Sequence, residues 1–280
     1  MMSAVKRFFQ PVQACLILSL VALSSILCSC RSVPVTGRSQ LLLTTESYEN
    51  SLGAESYEEY KQEYPVSTNA EYNAALERCG NAIKAVANDL GETDDFEWEF
   101  TVLDSEIQNA FCLPGGKVAV YTGLMDYMDN EAELAFVVGH EIGHAIARHG
   151  GERMSRTIVQ SVGAVLISMI FENETIDAIY GTGTEIGIML PYSRSNESEA
   201  DAIGLILMAR AGYDPSASYT FWKRFTNNAE GSSKLDAILS THPCDSDRIA
   251  AMMEGEAEAR AEYNKAKTKY GFGKTFTHKK

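Results

Sequence analysis

A mainly helical α+β domain with one small sheet is the fold this 280-residue sequence predicts. Three observations carry that expectation. Apolar residues recur every three or four positions over 72–90, and a second helix pattern covers 131–149. Between them Phe96, Trp98, Phe100 and Val102 alternate with Glu97, Glu99, Thr101 and Leu103, the period of a strand. Ile107–Leu113 and Lys117–Thr122 flank Pro114-Gly115-Gly116, which reads as a hairpin.

The elements follow in chain order. Lys6 and Arg7 precede a mostly apolar run from Phe8 to Leu27, and Leu27-Cys28-Ser29-Cys30 closes it. A positive start, an apolar middle and small residues at the cut make a secretory leader over 1–29. The last four residues read as a lipobox, with Cys30 as the lipidated residue. Acyl chains on that cysteine would tether the protein to a membrane, since each buried methylene adds about 0.8 kcal/mol. Residues 30–66 read as the tether and an N-terminal helix. Pro34, Gly37 and several Ser and Thr residues mark the tether, and Tyr48, Leu52, Tyr60 and Tyr64 form a packing stripe. The main domain is expected over 67–255, with a charged helix or tail over 256–280.

Within that domain Thr68 and Glu71 form a capping-box pattern. The stripe Tyr72, Leu76, Cys79, Ile83, Val86 and Leu90 follows, and Gly91 ends it. Asn130 with Glu133 caps the helix over 131–149, which Gly150-Gly151 is expected to stop. Residues 158–170 are apolar and too short to span a bilayer unaided; a core helix is the favoured reading, and an amphipathic flap at a membrane the other. A further helix covers about 195–211 up to Gly212. Asp214-Pro215 starts the next, and a last charged helix begins near Asp245.

Composition excludes some functions. Hydrophobic residues make up 45% and charged residues 22%, which a disordered chain does not show. The net charge of −14 argues against nucleic-acid binding, because phosphate contacts need a basic face. Past the leader, Cys79, Cys112 and Cys244 accompany Cys30. Cys79 lies on an apolar stripe and reads as a buried thiol; one bridge among the three is open, without a chosen pair.

The chemistry concentrates in two places. His140-Glu141-Ile142-Gly143-His144 is an H-E-x-x-H sequence inside a predicted helix. Residues four apart share a helix face, so both imidazoles can meet one metal ion, with Glu141 beside the open coordination position. A third ligand is needed. His149 is nine residues from His140, which turns it to the opposite helical face, and it reads as structural. His278 lies in a basic tail. In the stretch Ser193 to Asp201, Glu197 and Asp201 are four apart, giving one ligand carboxylate and one supporting carboxylate. Glu199 points roughly away. The bland alternative for that stretch is a solvated acidic helix.

H-E-I-G-H followed by S-R-x-x-E-x-E-A-D resembles the gluzincin metallopeptidases that include the CAAX prenyl proteases and the heat-shock protease HtpX. It is most similar to their soluble, Oma1-like branch of envelope lipoproteins. Asn109–Gly116, Tyr121-Thr122-Gly123-Leu124 and Thr241-His242-Pro243 match as well, so the resemblance covers about residues 31–255. It implies a zincin-like fold with its hairpin at the active site and one Zn2+ per chain. His140, His144 and Glu197 become the zinc ligands, Glu141 the catalytic carboxylate and Asp201 the supporting acid. No multi-span pattern accompanies the motifs, so prenylated substrates are not expected.

On this reading Glu141 takes a proton from the attacking water and returns it to the leaving amine. The oxyanion needs another donor, and Tyr192, His242 and Arg248 are candidates. His242 has a second reading, as a latch in the fourth zinc position. The hairpin is placed to pair with an extended substrate. The expected function is cleavage of misfolded or unassembled envelope proteins by an endopeptidase lipidated at Cys30, at the outer membrane facing the periplasm. The rivals are a non-proteolytic or latent zinc-binding chaperone for outer-membrane proteins, and a membrane-surface peptidase docked by residues 158–170. Oligomeric state is not legible.

Overall fold

A computed structural model describes residues 30–90, 93–171, 192–229, 236–271 and 275–277. The leader, residues 181–190 and His278 lie outside the described residues. The fold is α+β and mainly helical, as expected, with two small sheets. Among the described residues no helix is long and apolar enough to cross a membrane.

The segment read as a tether carries a strand pair from Cys30 onward. Strands β1 (Cys30–Ser32) and β2 (Ser39–Leu41) pair antiparallel. Helix α1 (Glu46–Glu63) follows, with Thr45 capping the Tyr48 N–H. Its buried face is not quite the predicted stripe: Tyr48 is exposed, while Gly53 and Tyr57 are buried. The Tyr57 hydroxyl donates to the Val118 carbonyl at 2.8 Å, and Tyr60 packs on Phe111. Gly53 is required there, because a methyl would meet the Pro114 carbonyl.

Helix α2 (Ala70–Asp89) buries Tyr72, Leu76, Cys79 and Ile83 on the predicted face. Its cap is Asn69 rather than Thr68: the Asn69 side chain accepts from the N–H groups of Glu71 and Tyr72. Strands β3 (Glu99–Leu103), β4 (Ala110–Leu113) and β5 (Lys117–Tyr121) form a sheet in the order β3-β5-β4. The strand expected from Phe96 begins only at Glu99, where its partner β5 begins. β3 runs parallel to β5 from Glu99↔Lys117 to Leu103↔Tyr121, and the predicted hairpin pairs β4 with β5 antiparallel. Gly115 and Gly116 both take positive φ, which suits glycine at a tight turn. β4 is left at the sheet edge.

After the one-turn α3 (Thr122–Met125), helix α4 (Glu131–Ile146) buries every residue it has. The Asn130 side chain accepts from the N–H groups of Ala132 and Glu133. The helix expected to run to residue 149 ends at Ile146, and Gly150-Gly151 fall inside the next one, α5 (His149–Phe171). The break is at Arg148, with φ of 50°. Its guanidinium reaches Glu49 at 2.6 and 3.0 Å and the Thr44 carbonyl at 3.1 Å. A methyl at Gly151 would strike the Glu49 carboxylate, so this glycine admits the ion pair instead of stopping a helix.

The start of the apolar run 158–170 is not core. Ile158, Val159 and Val162 are 42, 41 and 54% exposed. The helix has by then passed its anchor on the N-terminal segment, where the Leu43 N–H donates to Ser155 Oγ.

Helix α6 (Arg194–Arg210) is capped by Ser193 and ends before Gly212, at φ of 92°. It crosses α4 with backbone nearly on backbone. A Cβ on Gly204 would lie 2.7 Å from the His140 nitrogen, and one on Gly143 3.0 Å from the Ala200 carbonyl. Helices α7 (Ser216–Ala229), α8 (Asp236–Thr241) and α9 (Ser246–Lys265) complete the chain. α9 runs through the boundary expected at 255 and buries Met252, Ala259 and Tyr263. Cys79, Cys112 and Cys244 are free thiols, so no bridge joins them.

Candidate metal centre

The α4–α6 crossing brings the two sequence motifs together. His140 and His144 project from α4 on one face, and Glu197 from the first turn of α6. A fourth donor comes from the loop after α8. There the backbone N–H of His242 donates to the Ile238 carbonyl at 2.7 Å, which ties the loop to the last turn of α8.

Four donor atoms converge: His140 Nε2, His144 Nε2, His242 Nδ1 and the Glu197 carboxylate all lie within 4.8 Å of one another, and all four residues are buried. His140 Nε2 is 3.1 Å from His144 Nε2 and 3.4 Å from His242 Nδ1. Glu197 Oε1 is 3.3 Å from His144 Nε2 and 3.2 Å from His242 Nδ1, and Glu197 Oε2 is 3.6 Å from His140 Nε2. Ligand distances of about 2.0–2.1 Å in a tetrahedral shell imply donor separations of about 3.3 Å. The donor set therefore fits one zinc ion in both size and chemistry.

Charge gives a second test. Glu141, Glu197 and Asp201 are buried with one guanidinium, that of Arg248, among them. Three carboxylates against one fixed cation leave an excess of negative charge, which is met by a proton on an imidazole or would be met by a divalent ion. Burial opposes a charge on His140, but Asp201 and Glu197 outweigh it and raise its pKa to about 10. Burial also pushes Glu197 up, yet His242 and His144 hold it well below the usual carboxylate range. His144 is held well below its ordinary value, chiefly by burial. Burial raises Glu141, against the pull of His242 and His140.

Around this set the remaining predicted residues take distinct places. Asp201 Oδ1 is 2.9 Å from His140 Nδ1, behind the ligand atom. Glu141 Oε1 is 3.5 Å from His242 Nε2, on the cleft side. That cleft is walled by Asn109–Pro114, including all of edge strand β4, and by Tyr192. The Tyr192 ring stacks on His144 at 4.0 Å between centroids. Arg248 does not face the cleft as an oxyanion donor must. It is 2% exposed and spends its nitrogens on Asp201 at 2.7 and 2.8 Å, on Glu197 at 2.8 Å and on the Pro243 carbonyl. It contacts both α6 carboxylates.

His149 also departs from the sequence reading. Because the helix breaks at Arg148, it turns back and places Nδ1 2.8 Å from His144 Nδ1. Glu199 does point away from the four donors, but into a second buried cluster. It accepts from Thr36 Oγ1 and from Arg38 Nε at 2.7 Å, and it meets His149 Nε2 at 2.9 Å. Burial pushes its carboxyl up, but these partners outweigh it and bring the pKa down to about 2. Sequence reasoning misses Arg38, because no periodicity links it to residues 114 to 161 positions away.

The fold and the donor set define a metallopeptidase domain. A model described as peptidase family M48 matches residues 71–256. The mitochondrial metalloendopeptidase OMA1 of Schizosaccharomyces pombe is 32% identical over 229 residues, covering 81% of this chain and 67% of that protein. The human mitochondrial metalloendopeptidase OMA1 is 34% identical over 230 residues, 77% of this chain and 44% of the relative. The beta-barrel assembly-enhancing protease of Escherichia coli K12 is 36% identical over 162 residues, 55% of this chain and 33% of the relative. The chain thus spans under half the length of the human and bacterial relatives. It belongs to peptidase family M48.

Proposed function

We propose that the chain is a zinc-dependent endopeptidase, lipid-anchored through Cys30 on the periplasmic side of a bacterial outer membrane, that cleaves misfolded or unassembled envelope proteins. The observation that carries the peptidase reading is Glu141 on the cleft side of a complete donor set, beside the open edge of β4. When bound, zinc supplies Lewis acidity toward the scissile carbonyl and the attacking water. His140, His144 and Glu197 would hold the ion. Asp201 and Arg248 fix His140 and Glu197 from behind. Edge strand β4 offers its outer backbone to an extended substrate, beside Glu141 and the Cys112 backbone group bonded to it, which selects for unfolded segments more than for side chains. Glu141, its carboxyl raised by burial, accepts a proton from the water and passes it to the leaving amine. The envelope setting is supported by the lipobox at Cys30 and by the name of the Escherichia coli relative.

His242 favours a second reading for regulation. Its Nδ1 sits among the donors, at the separation expected of a fourth ligand, so it supports a latent state in which this loop excludes water from the centre. The test of the main reading is digestion of an unfolded protein by the chain from Arg31 onward, beside Glu141→Ala. Cleavage by the unmodified chain alone, stopped by a zinc chelator, is expected. Equal cleavage by Glu141→Ala would end the reading.

A further inference from the structure

We propose that His149 and Glu199 are positioning residues for the metal ligand His144, and that Arg38 of the N-terminal segment completes their chain. The inference rests on the metal-centre reading above. Its steps follow from hydrogen-bond direction. A carboxylate only accepts, so the His149 Nε2–H donates to Glu199 Oε2 at 2.9 Å. Neutral His149 then carries a lone pair on Nδ1. The neighbouring atom is His144 Nδ1 at 2.8 Å, and one of these two nitrogens must carry the proton. It is therefore on His144, whose Nδ1–H donates to His149. The proton being there, His144 Nε2 is left with its lone pair directed into the donor set. Metal-bound histidines take their tautomer from the partner of the other ring nitrogen, and that partner is usually a carboxylate or carbonyl. Asp201 Oδ1 lies 2.9 Å from His140 Nδ1, an ion-pair contact short of hydrogen-bond geometry; His149 Nδ1 is the partner of His144.

The far end of the chain of bonds lies outside the matched peptidase region. Arg38 binds Glu199 through Nε and Glu152 through Nη1 and Nη2, at 3.1 and 2.8 Å, and Thr36 also donates to Glu199. Both residues lie in the turn between β1 and β2, a few positions after Cys30. The segment that leads from the proposed membrane anchor is thus bonded to the metal centre through two side chains.

The experiment measures zinc affinity by chelator competition for the full-length chain, His149→Leu and His149→Asn, with melting of each zinc-free chain as the check on folding. The asparagine Oδ1 can take the place of the histidine Nδ1 and still accept from His144. His149→Leu is expected to bind zinc about 10–100-fold more weakly, and His149→Asn to recover most of that loss. Unchanged affinity in a folded His149→Leu would overturn the proposal. If that variant does not fold, nitrogen-15 histidine spectra of the unmodified, zinc-loaded chain decide: a proton on His149 Nε2 supports the chain of bonds, and one on Nδ1 overturns it. Failure of the unmodified chain to bind zinc would instead sink the metallopeptidase reading itself.

Discussion

Gly204→Ala tests whether the helix crossing sets the metal centre. The added Cβ would sit 2.7 Å from the His140 nitrogen and 2.9 Å from both Gly139 C and His140 Cα, all backbone atoms that cannot rotate away. Reaching an ordinary contact requires α4 and α6 to part by about 0.7 Å there, and overpacking of this kind costs about 1–3 kcal/mol. Better helix propensity of alanine returns about 1 kcal/mol. The loss in global stability is therefore modest, but the centre is less tolerant. His140 and His144 ride on one helix and Glu197 on the other, and ligand distances tolerate about 0.2 Å. Zinc affinity is expected to fall more than tenfold, about 1.4 kcal/mol, while denaturant unfolding of the zinc-free chain changes little. Gly255→Ala is the control, since its methyl meets only the flexible end of Leu205 at 3.2 Å. Wild-type zinc affinity in Gly204→Ala would refute the argument that close helix approach positions the ligands.

Three further outcomes follow from the same geometry. Arg248→Met leaves Glu197 and Asp201 without their buried cation; urea unfolding of the zinc-free chain should show a loss of about 3–5 kcal/mol, and the zinc-loaded chain a smaller one. His242→Ala should raise peptide cleavage if the loop is a latch, whereas a fall in kcat with unchanged zinc content would make it a transition-state donor. Arg38→Met should make the chain more acid-sensitive. Glu152 and Glu199 are held below their ordinary values despite burial, Glu199 at about 2, so their stabilisation is present above the usual carboxylate range and is lost as pH falls toward 2. Without Arg38 both carboxyls rise, and the acid-unfolding midpoint, followed by circular dichroism, moves to higher pH.

Much of this protein is legible in its sequence because the signals are local. Four-residue spacing puts His140 and His144 on one face, and Glu197 and Asp201 on another, whatever surrounds them. The apolar period of α2 and the glycine turn between β4 and β5 are likewise properties of short segments. The failures share one cause. Extending α4 to residue 149 gives His149 the wrong face, because the helix stops at Arg148, whose partner Glu49 is far away in the chain. Arg248 has the chemistry of an oxyanion donor, and only packing shows that its nitrogens are already engaged by α6. The exposure of Ile158 and Val162 depends on what lies beside α5 rather than on their apolar character. By itself the sequence determined which residues can carry the metal chemistry and which helices present them. Tertiary structure decided how closely those helices approach, which side chains lie behind the donor residues, and that Arg38 reaches Glu199, because each depends on contacts between segments that no local period relates.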